Sequence, residues 1–117
     1  MPAINFQKQF ATLVETGAKR QTIRALRKDG RNPRPGQPLY LYTGMRTKGC
    51  RKLGEAICTS VEQITIEGSS IILGVKSLSF NQENDLAKAD GFDCFLDFME
   101  FFHKTHGLPF HGLLIVW

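Results

Sequence analysis

Residues Leu39 to Phe80 read LYLYTGMRTKGC RKLGEAICTS VEQITIEGSS IILGVKSLSF, and the class of the fold turns on this stretch. Leu39-Tyr40-Leu41-Tyr42 alternates aliphatic and aromatic side chains, the period of a strand lying between two different environments. A basic loop from Thr43 to Gly54 follows. Glu55 to Ile66 and Ser70 to Phe80 are rich in β-branched residues, and Glu67-Gly68-Ser69 between them reads as a hairpin turn. No helical period interrupts these strands, which favours an antiparallel or mixed sheet over parallel βαβ alternation. Strands this short cover a core best when the sheet curls, which favours a small β-barrel.

Outward from this stretch the pattern changes to a period of 3.6. Phe6, Phe10, Leu13 and Val14 predict an amphipathic helix over residues 4–16, with Gly17 placed for a left-handed C-terminal cap. Phe92, Phe95, Leu96, Met99 and Phe102 predict a second helix from about Asp93 to His106, stopped by Gly107 and Pro109. This Phe-rich face is read as core; Phe98 and Phe101 widen it beyond one stripe, and that excess is a candidate dimer or partner surface. Gly112 to Trp117 is a final apolar strand. Asn81 to Ala89 is polar and carries no clear period. The class expected is α+β: a mixed or antiparallel barrel flanked by two main helices.

The chain has 117 residues, 42% of them apolar and 22% charged, which suits one domain spanning 1–117. The longest apolar run, Leu113 to Trp117, is far short of the roughly 20 residues of a membrane-spanning helix, and no signal-type apolar core follows the N-terminus. A cytoplasmic protein without a membrane partner is expected. Cys50, Cys58 and Cys94 are odd in number and have no close pair, so reduced thiols are expected, not a disulfide framework or zinc site. His103, His106 and His111 lack an acidic partner at ligand spacing; a helix-end role fits His103 and His106 better than a metal. No cofactor is expected.

The net charge of +4 conceals a division. Residues 1–60 carry twelve Lys and Arg against three acids, and residues 61–117 carry three against eight. Eleven of those twelve cations fall between Lys19 and Lys52, many of them in loops among Gly and Pro, including Arg27 to Pro38. Such a block attracts phosphate-bearing partners and makes their binding salt-sensitive. Arg20, Arg24 and Arg27 are candidate anion contacts, as are Arg46, Lys48, Arg51 and Lys52, which suit phosphates more than base edges. Tyr40 and Tyr42 share one face of their strand and are candidates for stacking on a base, with core packing as the alternative.

The order of these features carries a resemblance. A helix closed by Gly17, then Lys19-x-x-Thr22-Ile23-Arg24, then Pro35-Gly36 before a strand, Gly54-Glu55-Ala56, a late Asp90-Gly91-Phe92, and a terminal strand ending in Trp117 together resemble the ASCH domain family of the PUA-like superfamily. That resemblance implies a β-barrel with a cleft and an association with RNA. One small bacterial branch, similar in its Gly-x-Lys-x-x-Thr-x-Arg segment, removes the acetyl group from acetylated cytidine, and another branch cuts RNA. Carried over, the pattern makes Lys19 the catalytic lysine, Thr22 the nucleophile, Arg24 the basic residue that closes the motif and Asp90 the acid. The amidohydrolase branch has Glu, one methylene longer, where this chain has Asp90, and its loops are shorter.

The chemistry of such a triad is general. A threonine hydroxyl becomes a nucleophile when a base takes its proton, and a lysine is that base when burial or neighbouring cations lower its pKa. The leading expectation is an ASCH domain that binds RNA or a modified nucleoside, with DNA as the alternative polyanion, and acts as a metal-independent hydrolase of the amidohydrolase or ribonuclease type. Two other readings compete with it: a non-catalytic nucleic-acid-binding module, and a protein-interaction or inhibitor domain whose basic half docks on an acidic partner.

Overall fold

The computed structural model describes residues 3–27, 30, 32–68 and 70–117. In chain order these form β1 (Ala3–Phe6), α1 (Lys8–Thr16), β2 (Gln21–Ala25), β3 (Pro38–Thr43), β4 (Arg51–Ile57), β5 (Ser60–Glu67), β6 (Ser70–Leu73), β7 (Lys76–Ser77), α2 (Phe80–Ala89), α3 (Phe95–Thr105) and β8 (Phe110–Val116). Backbone ladders join them into a three-stranded sheet, β1-β3-β4, and a five-stranded sheet, β2-β8-β5-β6-β7. The α+β class holds. Pairing is antiparallel except for β1 beside β3, which is parallel, and no closed barrel is found among the described residues.

β8 explains how the layers fit together. Its Leu113 and Ile115 enter one core with α1 and the three-stranded sheet, while Phe110 and Leu114 enter another beneath α2 and α3. A strand covered on both faces has no polar side to show, hence the unbroken Leu-Leu-Ile-Val run. The expected alternation of β3 is present: Leu39, Leu41 and Thr43 are buried, and Tyr40 and Tyr42 are half-buried on the opposite face. Phe92 packs against both cores and ties them together.

Several expectations are corrected. Phe98 is wholly buried and Phe101 half-buried against the cores, so these two rings are core and not an exposed partner surface. The N-terminal helix does not begin at residue 4, because Ile4 and Phe6 alternate into the core as β1 and pair with Leu41 and Thr43; the helix starts at Lys8. Phe6 fits both periods, and ladder pairing with β3 selects the strand. The expected stretch from Glu55 to Ile66 is two strands in different sheets, parted at Cys58-Thr59, and β4 begins as early as Arg51. Ser70 to Phe80 likewise divides into β6, a turn and β7. Three helices replace the expected two, because Asn81 to Ala89 belongs to α2. Its start is fixed by a capping box in which Ser79 accepts from the Gln82 N–H and the Gln82 side chain accepts from the Ser79 N–H. Gly17 does cap α1, with φ +84°, and Glu67 pairs with Ser70 across the expected hairpin. Ser69 of that turn, and Lys28, Asp29 and Arg31 of the first basic loop, lie outside the described residues.

Candidate active site

The left-handed Gly17 turns the chain back on α1, where the Lys19 N–H bonds the Leu13 carbonyl at 2.9 Å. Lys19 is thereby delivered to the start of β2, and only 2% of it is exposed. β2 lies at one edge of the five-stranded sheet and pairs with β8. Alternation sends Ile23 into the core under α2 and α3, and the Gln21 side chain to the end of α2. Thr22 and Arg24 share the other face, where the Arg24 Nε donates to Thr22 Oγ1 at 2.9 Å. The Arg24 guanidinium lies 5.0 Å from the centre of the Phe6 ring.

Asp90 arrives from the far side of the sequence as the C-cap of α2. The Asp90-Gly91-Phe92 segment has a separate physical reason at each position. Gly91 has φ +99°, and a Cβ there would meet the Phe10 ring at 3.1 Å, so only glycine lets this turn come against α1. Phe92 then wedges between Phe10 and Phe98, with ring centres 5.4 and 5.5 Å away. Asp90 is held beside Lys19: Lys19 Nζ lies 3.1 Å from Asp90 Oδ1 and also donates to the Asp90 backbone carbonyl. The shorter acid reaches its lysine because the turn itself is close. Gln21 Nε2 donates to Asp90 Oδ1 and Leu86 O, at 3.5 and 3.4 Å.

Burial governs the electrostatics. Desolvation pushes the Lys19 ammonium below its ordinary pKa, with Arg24 adding to the effect and Asp90 opposing it. Desolvation likewise raises the Asp90 carboxyl, against the pull of Lys19, Gln21 and Arg24. Both shifts favour the form in which a neutral amine faces a neutral acid, so the two groups titrate as a coupled pair. Lys19, Thr22, Arg24 and Asp90 line one cavity of about 170 Å³, with Phe101, Phe102 and His106 among its other walls. No hydrogen bond joins Lys19 directly to Thr22 among the described residues. Arg24 occupies an acceptor position of the Thr22 oxygen, which leaves the hydroxyl proton free to be donated.

The structure thus gathers Lys19, Thr22, Asp90 and Arg24. It does not gather the other expected contacts. Arg27 lines an adjoining hollow of about 220 Å³ with Arg24, and its guanidinium donates to Ala3 O at 3.0 Å. Arg20 is exposed and bonds Trp117 O at 3.0 Å. Tyr40 and Tyr42 lie on the three-stranded sheet, with the Lys52 ammonium 5.4 Å from the Tyr40 ring. Arg51 and Lys52 belong to β4, not to the expected loop, and pair with Glu15 at 2.6 Å and Glu55 at 3.3 Å. Arg46 and Lys48 are exposed and form no ion pair among the described residues. Gln21 and His106 were not among the expected site residues; Gln21 was legible only as a polar side chain on the inward face of a strand.

Among the described residues no group of three or more His, Cys, Asp and Glu side chains is placed to hold a metal ion, and no helix is long and apolar enough to cross a membrane. Cys50 is exposed, Cys58 buried and Cys94 half-buried, all with free thiols. No family model matches this chain, and no curated protein or solved structure compared with it does either.

Proposed function

We propose that this chain is an ASCH-type domain, its two sheets forming the walls of an open PUA-like barrel, that hydrolyses an acyl amide on a modified nucleoside. The observation that carries this reading is the buried Lys19–Asp90 pair, 3.1 Å apart, on the wall of a cavity that Thr22 and Arg24 also line. The cavity's volume of about 170 Å³ is below the roughly 300–1,000 Å³ of sites that enclose a drug-sized ligand. It suits the acylated edge of a base, with the sugar left outside.

In this mechanism the neutral amine of Lys19 takes the Thr22 proton, through one water or the bound substrate, and Thr22 Oγ1 attacks the acyl carbon. The Arg24 guanidinium, already on Thr22, stabilises the charge that develops on the carbonyl oxygen. The C–N bond breaks as the Lys19 ammonium protonates the departing amine. Water, deprotonated by Lys19, then attacks the Thr22 ester; the Lys19 ammonium returns that proton to Thr22 Oγ1 as the ester C–O bond breaks, and the carboxylic acid leaves. Asp90 orients Lys19 throughout and accepts hydrogen bonds from it.

A second reading, a non-catalytic RNA- or DNA-binding module, is favoured by one feature: the bond from Lys19 to the Asp90 backbone carbonyl is what a structural clamp between α2 and β2 would make. Incubation with acetylated cytidine and, in parallel, with labelled single-stranded RNA separates the two. Cytidine and acetate from the wild type, and none from Thr22→Ala, are expected. RNA retention without product would overturn the hydrolase reading in favour of the module.

A further inference from the structure

The three histidines close in sequence occupy different settings. All three are exposed: His103 lies on α3, and His111 on β8 has its Nδ1 3.2 Å from Thr65 Oγ1. His106, the C-cap of α3, lines the cavity that holds Lys19, Thr22, Arg24 and Asp90. Its backbone N–H is tied to Phe102 O and His103 O. Its ring is packed against Phe102 and Phe110, with centroids 5.5 and 4.8 Å away. Neither ring nitrogen has a hydrogen-bond partner among the described residues. An imidazole fixed by two rings and a helix end, with both nitrogens unclaimed, is pre-organised to meet a ligand.

We propose that His106 is the residue that reads the substrate: one of its ring nitrogens hydrogen-bonds the polar edge of the bound base and fixes which edge faces Thr22. This rests on the acyl-hydrolase reading above and assigns it a specificity determinant. Burial, and then the nearby Arg24 guanidinium, hold the imidazole below the ordinary histidine pKa. The neutral ring has one donor and one acceptor nitrogen that point away from each other, so the nitrogen turned toward the base makes one hydrogen bond to its polar edge, as donor or acceptor according to the tautomer. Arg24 in the same cavity is already on Thr22, and Lys19 and Asp90 engage each other, so those three are committed to the reacting group.

The test uses acetylated cytidine as substrate and cytidine as a non-reacting probe. His106→Phe keeps an aromatic ring between Phe102 and Phe110 but loses both nitrogens. It is expected to raise KM by about three- to tenfold, the worth of one net hydrogen bond, with kcat within twofold. His106→Gln or His106→Asn, placing an amide near one ring nitrogen or the other, restores KM in one case. An unchanged KM in His106→Phe, or a large fall in kcat at constant KM, would overturn the assignment while leaving the hydrolase reading in place. Titrating the wild type with cytidine and following imidazole resonances supplies an arm independent of turnover. A shift at His106, with His103 and His111 unmoved, supports the proposal even if acetylated cytidine is never cleaved; no shift at His106 at saturating cytidine counts against it.

Discussion

Lys19 and Asp90, 71 residues apart in sequence, meet in the interior with Nζ 3.1 Å from Oδ1, and both side chains are almost wholly withdrawn from water. Such a pair is costly to half-remove. Asp90→Asn leaves the Lys19 ammonium buried without its counter-ion and is expected to cost about 3–5 kcal/mol, measured by urea unfolding at pH 7. Lys19→Met combined with Asp90→Asn should cost clearly less than the sum of the single changes, because neither orphaned charge remains. Additive losses would show that the two groups do not interact.

The same pair sets a pH dependence whose sign follows from the directions of the two shifts. Asp90, raised by burial, adds stability at pH values below its unfolded value of 3.8, and this is lost as pH rises through its folded pKa. Lys19, lowered by burial, adds stability above its unfolded value of 10.5, and this is lost as pH falls through its folded pKa. Relative to the Lys19→Met/Asp90→Asn double variant, the wild type should therefore be least stable between the two folded pKa values and gain toward both extremes. Urea midpoints of both proteins across the pH range read this directly; a difference independent of pH would remove the coupling. Hydrolysis, which needs the neutral amine, should rise with pH and level off below 10.5.

Thr22 has a hydroxyl held by Arg24 and little side-chain area to lose. Thr22→Ala should leave acyl hydrolysis undetectable and lower stability by about 1 kcal/mol, the worth of one hydrogen bond, while Thr22→Ser keeps turnover. Chromatography of the cytidine product decides it, and wild-type turnover by the alanine variant would dismiss Thr22 as the nucleophile.

The basic residues divide by whether a carboxylate already occupies them. Among the described residues Arg46 and Lys48 have none, whereas Arg51 and Lys52 face Glu15 and Glu55. If RNA crosses this surface, Arg46→Ala/Lys48→Ala should flatten the slope of log K against log salt by about 1.4, from roughly 0.7 per lost contact to a single strand. Arg51→Ala/Lys52→Ala should flatten it less. Equal slopes in all three proteins would take the loop out of the binding surface.

Gly112 sits at the start of the β8 segment that holds β2 in register. A Cβ there would lie 2.3 Å from the Arg24 carbonyl and 2.9 Å from the Phe110 ring. Gly112→Ala must push β2, with Thr22 and Arg24, off β8. A loss of about 3 kcal/mol in thermal or urea unfolding, accompanied by a fall in turnover, is expected; a variant as stable as the wild type would mean that β2 is not packed as described.

By itself the sequence determined what local periodicity can carry. The alternation in Leu39 to Tyr42, the Phe stripe of α3, the αL position at Gly17 and the apolar run of β8 are each written within a few neighbouring residues, so strand, helix, cap and final strand were legible there. The motif residues Lys19, Thr22, Arg24 and Asp90 were legible as a pattern of residue types. Their meeting was not, because it depends on Gly91 allowing a close approach to Phe10 and on β2 and α2 being brought together by packing. Phe6 looked helical because two spacings fit it, and only its ladder with Thr43 chose the strand. The Ser79-to-Gln82 capping box was present in the sequence, yet α2 has little apolar contrast of its own and is held by Ala87 and Leu86 against the second core. Burial, which turns Lys19 from a surface cation into a titratable partner of Asp90, is a property of the assembled layers alone, since no local stretch of chain can exclude water from an ammonium group.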